Sequence, residues 1–101
     1  MEISYITDDK SINTKLVYII GKKLRGYKQD KTYPKVTQCL VFKNNLLQGF
    51  SEVIKCDSDE DNPEFAYILV TKKAMNFVYF KEIKKALWKE LFKKVKIKIN
   101  V

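Results

Sequence analysis

Apolar residues recur along the chain with more than one period. Three runs have the short, β-rich composition of strands: EISYIT (residues 2–7), VTQCLVF (36–42) and LLQGFSEVI (46–54). The last two runs are separated by three residues, which predicts a hairpin with a two-residue turn at Asn44 and Asn45.

Residues 12–25 carry an apolar residue at every fourth position, which predicts a helix. The stripe consists of Ile12, Leu16, Ile20 and Leu24. Before it, the side-chain oxygens of Asp8, Asp9 and Ser11 can accept the free amides of a first helical turn. Gly26 suits the left-handed position just past the end.

The second half of the chain continues this mixed pattern. FAYILVT (65–71) is continuously apolar, which predicts a strand buried on both faces. AMNFVYF (74–80) is rich in β-formers, which predicts a further strand. Apolar residues spaced by three and four predict a helix over 81–94, and alternation predicts a terminal strand over 95–101. We therefore predict one α+β domain spanning 1–101, with a largely antiparallel sheet of four to six strands and two helices on one face.

The net charge of +8 bears on function because much of it lies near the carboxyl end. Lys81, Lys85, Lys89 and Lys93 stand four residues apart, so they predict a ladder about 18 Å long on the exposed side of the last helix. Like charges at this spacing repel, and a polyanion would relieve the repulsion. The alternative is a solubilising coat, because nineteen lysines against the single Arg25 are typical of AT-rich coding.

A second basic stretch, residues 22–35, interleaves cations with two tyrosines. Its candidate contacts are Lys22, Lys23, Arg25 and Lys28. Aromatic and basic side chains together can stack bases and hold phosphates, although a polar loop whose tyrosines close over the core is the alternative. Scarce arginine disfavours direct base reading. We predict a small basic protein that binds the phosphate backbone of DNA or RNA duplexes with little sequence preference.

Groups that usually carry catalysis are missing from the sequence. The chain has no histidine and no glycine-rich phosphate loop, so we expect no enzymatic activity and no cofactor. Asp57, Asp59 and Asp61 alternate like the opening of a calcium loop, but Asn62 stands where the turn glycine belongs and Ile68 where the bidentate glutamate belongs. We expect this acidic loop to be exposed and to bind no metal.

Two cysteines and the apolar run lengths indicate the compartment. The predicted hairpin places Cys39 opposite Phe50 and Cys56 opposite Tyr33, so a disulfide is not expected and both thiols should be free. No apolar run approaches the roughly 20 residues that span a bilayer, and the amino terminus does not have the pattern of a signal peptide. We expect a cytoplasmic protein, inside the host cell if it is viral.

The predicted element order over residues 11–93 resembles that of double-stranded RNA-binding domains, which have a helix, three strands and a helix. The segment from Thr71 to Ala74 is similar to the lysine pair that opens the last helix of that family. The chain departs from the family at residues 77–80, where large apolar residues stand in place of small ones, and in its extra predicted strands at both ends.

A second class of function fits the same composition. Small size and the lack of catalytic groups also suit a protein-interaction module, such as an inhibitor or accessory factor from a virus or mobile element, with no nucleic-acid binding. Such a module would use its acidic loop or an exposed sheet edge.

Overall fold

The computed structural model describes residues 1–22, 35–54 and 63–95. The described elements, in chain order, are β1 (Glu2–Ile6), β2 (Asn13–Lys22), β3 (Lys35–Lys43), β4 (Leu46–Ile54), α1 (Pro63–Ala74), a short 3-10 helix (Met75–Phe77) and α2 (Lys81–Lys94). The strands form one antiparallel sheet in the order β1-β2-β3-β4. This arrangement confirms the predicted α+β class with its antiparallel sheet and two helices.

Both helices pack on one face of the sheet. α1 contacts β3 and β4, whereas α2 contacts β1. The core between the two layers consists of Ile3, Leu16, Tyr18, Cys39 and Val41 from the sheet and Val70, Ala74, Met75, Val78, Ile83, Leu87, Leu91 and Val95 from the helical half. A single cluster therefore joins β1, β2 and β3 to the helical half, and Val53 of β4 packs against it.

The prediction of a helix over residues 12–25 is wrong for the part that the structure describes, since β2 runs through it. A spacing of four residues is also a multiple of two, so it fits one face of a strand as well as one face of a helix. In β2, Thr14, Leu16 and Tyr18 are buried on the same face. β2 pairs with β1 over residues 13–17 and with β3 over residues 14–22, a central position that suits its many β-branched residues.

The polar residues expected to open that helix form a turn between β1 and β2 instead. The backbone amide of Lys10 donates to the carbonyl of Thr7 at 2.8 Å, and Lys10 has a left-handed φ of 60°. The Asp9 carboxylate accepts bonds from the Ser11 amide (3.0 Å), the Ser11 hydroxyl (2.7 Å) and the Thr7 hydroxyl (2.7 Å). The Ser11 amide contributes most to lowering the pKa of Asp9 to about 2.

The β3–β4 hairpin confirms the prediction made from residues 36–54. Asn44 and Asn45 both have positive φ, 50° and 67°, as a two-residue type I′ turn requires. A bulge then shifts the register by one residue, so Cys39 faces Ser51. The predicted pairing of Cys39 with Phe50 is therefore wrong, and the pairing predicted for Cys56 lies outside the described residues.

The segment 65–71 is part of α1, so the prediction of a strand there is wrong. The two ends of α1 carry helix signals, which are Pro63 at the first position, Glu64 in the first turn, and Lys72 and Lys73 in the last turn. These signals decide the structure of a segment whose apolar run alone suits either element.

The strand predicted over residues 74–80 is also wrong. Ala74 ends α1, Met75–Phe77 form the 3-10 helix, and the following residues lead into α2. α2 itself covers the residues predicted for it. The terminal strand predicted beyond Val95 lies outside the described residues. Neither described helix is long and apolar enough to cross a membrane.

Candidate nucleic-acid interface

Four lysines form a row along the solvent side of α2. Lys81, Lys85, Lys89 and Lys93 are all exposed, and each is one helical turn from the next. The opposite side of the helix carries the buried Ile83, Leu87 and Leu91. We call the row the lysine ladder. The buried apolar residues on the opposite side of α2 fix the orientation of the helix, so the ladder faces solvent.

Positive charge exceeds negative charge along α2. The helix contains six lysines and two glutamates, and therefore has a net charge of +4. Within the ladder, Lys93 pairs with Glu90 at 3.2 Å. Lys81, Lys85 and Lys89 make no ion pair with the described residues. The described residues therefore offset only part of the cost of keeping these like charges close.

Aromatic side chains flank the ladder. Trp88 stacks on Phe92 with ring centroids 5.7 Å apart and an interplanar angle of 20°. Trp88 also packs against the core, whereas Phe92 is half exposed. At the other end of α2, Tyr79 is 78% exposed. Exposed rings on and beside α2 could therefore contact the bases of a ligand whose phosphates the ladder holds.

The second basic group is described only in part. Lys22 is the last residue of β2, and Lys23, Arg25 and Lys28 lie outside the described residues. Of the eight residues predicted from sequence to contact nucleic acid, the structure therefore brings together the four on α2.

The acidic segment gives no metal site within the described residues. Across 1–22, 35–54 and 63–95, no three metal-ligating side chains come together. Residues 57–62 lie outside these ranges, and Glu64 belongs to the first turn of α1.

A buried hydroxyl chain links the sheet to α1. The Thr71 hydroxyl donates its proton to the Tyr67 carbonyl oxygen at 2.6 Å, so the Tyr18 hydroxyl must donate to Thr71 Oγ1, 2.5 Å away. Burial raises the pKa of Tyr18 and raises the pKa of the neighbouring Cys39 thiol to about 12. Both groups are neutral at neutral pH, so Cys39 is a poor nucleophile and the chain of hydroxyls is structural.

The sheet face turned away from the helices is apolar, a feature that sequence reasoning missed. We call it the open face; its central residues are Val17, Ile19, Leu40, Phe42, Leu47 and Phe50, which alternate with the inward residues of β2, β3 and β4. Phe50 is 57% exposed and Leu47 58% exposed. The signal in the sequence was the continuous apolar character of residues 16–20 in β2 and 39–42 in β3, which is typical of strands covered on both faces.

Comparison of the chain with protein-family models, with curated proteins and with solved structures found no match. The functional inference therefore depends on the surfaces described above.

Proposed function

We propose that the protein binds nucleic acid, with little sequence preference, by placing the lysine ladder against the phosphate backbone of a DNA or RNA duplex. The observation that carries this proposal is the row of four exposed lysines on α2, of which Lys93 alone is paired with a glutamate of the described residues. A duplex carries about one negative charge per 1.7 Å of its axis, so a ladder about 18 Å long can meet several phosphates at once.

The chemistry of the ladder also sets how it would bind. An ammonium group is a point charge without the planar fork of arginine, so it holds phosphates and distinguishes bases poorly. Binding should then depend on salt, because each phosphate contact releases counterions. We propose binding without catalysis, since the sequence has no histidine to serve as a general base near neutral pH.

The test is fluorescence anisotropy with short DNA and RNA duplexes across a salt series. If four phosphates are neutralised, log K should fall against log salt with a slope of about −3.6. The double variant Lys85→Glu, Lys89→Glu should lower the affinity and flatten the slope by about 1.8, because two contacts are lost. The apolar side of α2 is unchanged, so circular dichroism should match that of the parent.

A matched control separates local contacts from overall charge. Lys43→Glu, Lys72→Glu makes the same change in net charge at two exposed lysines outside α2. This control should lose much less affinity than the ladder variant. The proposal fails if the parent does not bind at low salt, if the ladder variant binds as well as the parent, or if both double variants lose the same affinity.

A protein-interaction module is the second candidate, and the open face favours it. Exposed apolar patches of several hundred Å² on a folded protein usually mark an interaction site. Absence of nucleic-acid binding in the anisotropy experiment would leave this function as the better one.

A further inference from the structure

The centre of the open face has fewer polar residues than a solvated sheet face normally has. An antiparallel sheet with one face in water alternates apolar residues toward the core with polar residues toward solvent. In this sheet the outward positions at the centre of β2, β3 and β4 are apolar, and Ile19 is 46% exposed although it lies in a central strand. Such a face is suited to being covered.

Its area is enough for a protein interface. A fully exposed large side chain has roughly 150–250 Å² of surface, so the six partly exposed apolar residues present roughly 400–500 Å². The polar residues around them bring the face close to the roughly 800 Å² that each partner contributes to a standard interface. Apolar surface of this extent lies within the roughly 300–600 Å² of the largest patch on a typical monomer, and such a patch often has a function.

Charge on this face favours an identical partner. Its outward ionisable residues within the described strands are Glu2, Lys15 and Glu52, with a net charge of −1, although the whole chain carries +8. Two copies can therefore meet here without the repulsion that their other surfaces would produce. A polyanion is not attracted to this face, and a highly charged protein finds no opposite surplus on it.

We propose that the open face binds a second copy of this chain, forming a two-fold symmetric dimer with the two sheets face to face and the helices outside. Lys15 and Glu52 support this arrangement, because they lie on opposite sides of Leu40, across the row Val17, Leu40 and Phe50. A two-fold axis in the interface that passes near Leu40, perpendicular to the line from Lys15 to Glu52, places Lys15 of each copy over Glu52 of the other.

This axis makes the strands of the two sheets cross at a steep angle, close to the orthogonal class of sheet packing. In the single chain, Lys15 lies 4.0 Å from Glu2, and Gln38 donates to Glu52 at 3.3 Å. The 4.0 Å contact between Lys15 and Glu2 is weak, and a carboxylate can accept several hydrogen bonds at once, so Lys15 and Glu52 can also pair across the interface. The dimer is independent of nucleic-acid binding, since none of its residues belongs to the lysine ladder.

Sedimentation equilibrium of the full chain over a concentration series tests the dimer. The parent should be dimeric at micromolar concentration. Phe50→Glu should raise the dimer dissociation constant by roughly 30-fold or more, the loss typical of a central interface residue. Phe65→Glu is the matched control, because Phe65 is 55% exposed and belongs to α1, which packs on the opposite face of the sheet. It should leave the constant unchanged.

A charge exchange tests the two-fold arrangement. Lys15→Glu and Glu52→Lys should each weaken the dimer by roughly fivefold to tenfold, and the double variant should restore it, because opposite charges again face each other. Circular dichroism checks folding; if Phe50→Glu does not fold, the charge exchange decides alone. A monomer at every concentration, a dimer unaffected by Phe50→Glu, or a double variant no tighter than the single ones overturns the proposal.

Discussion

Gly49 in β4 has no room for a side chain, so Gly49→Ala should destabilise the protein. A Cβ at this position would lie 2.4 Å from Cδ1 and 2.5 Å from Cε1 of Phe77. Ordinary contact begins near 3.4 Å, so the ring would have to move by about 1 Å. Gly49 does not have a positive φ, so the clash with Phe77 is the only expected cause of destabilisation by alanine.

Gly21 in β2 provides the reference for the magnitude. A Cβ added there has nothing within 4 Å, and its φ is not positive either. Gly→Ala reduces the conformational entropy of the unfolded chain, which stabilises a protein by about 0.4–1 kcal/mol where no strain results. Both variants share this gain, so it cancels when they are compared. Overpacking typically costs about 1–3 kcal/mol, which is the difference expected between them.

Thermal and urea unfolding measure this difference. At about 4–8 °C per kcal/mol for a domain of this size, Gly49→Ala should melt roughly 4–24 °C below Gly21→Ala. Phe77→Ala removes the ring and should remove the penalty as well. In that background, Gly49→Ala should cost little, giving a coupling free energy of about 1–3 kcal/mol between the two sites.

Two results would refute the reasoning. Equal stability of Gly49→Ala and Gly21→Ala would mean that the ring of Phe77 moves aside without cost. A penalty that persists in the Phe77→Ala background would assign the loss to the backbone of β4, and not to the contact.

Three further predictions concern buried and hydrogen-bonded groups. Tyr18→Phe removes a buried donor to α1 and should lower the free energy of unfolding in urea by about 1–2 kcal/mol, whereas the exposed Tyr79→Phe should change it by less than about 0.5 kcal/mol. The pKa of Asp9 is about 2 against an ordinary 3.8, so its stabilising effect should be present above about pH 4 and be lost as pH falls towards 2; an NMR titration midpoint near 4 would contradict this. In a Cys56→Ser chain, the buried Cys39 thiol, with its pKa of about 12, should react with a thiol reagent at pH 8 only after denaturant is added, and rapid reaction of the native protein would exclude its burial.

Patterns with one consistent interpretation predicted the fold correctly. The hairpin turn at Asn44 and Asn45 requires positive φ, which asparagine tolerates, and the structure has it. The helix over 81–94 has an apolar stripe at a spacing of three and four that no strand can place on one face. In both segments, local backbone geometry and the burial pattern favour the same secondary structure.

Segments whose pattern suits two structures were predicted wrongly. The spacing of four in residues 12–25 fits either period, and the oxygens of Asp9 that can cap a helix also stabilise a turn. Pairing of β2 with β1 and β3 makes this segment a strand and not a helix. Such pairing involves residues distant in the sequence, so the local pattern does not reveal it. The apolar run in 65–71 was similarly ambiguous, but Pro63 and Glu64 before it would have indicated a helix start.

The candidate surfaces followed the same division. The exposure of the ladder could be predicted because its lysines lie opposite the apolar stripe of the same helix. The open face could not, because which sheet face the helices cover depends on where α1 and α2 dock. The bulge between Val41 and Phe42 sets which β4 residues point outward, and no turn residue in the sequence specifies it.

Separation of the lysine ladder and the open face onto opposite sides of the sheet determines what a pair of chains could do. If two open faces meet, the two α2 axes lie roughly 30 Å apart at about 10 Å per layer, and the ladders on their outer sides point in opposite directions and are farther apart. One duplex could not then lie along both ladders, and each dimer would hold two duplex segments. Binding would become bivalent, so the affinity for the second duplex segment would depend on its local concentration around the first. The dimer would then bridge separate segments of DNA or RNA.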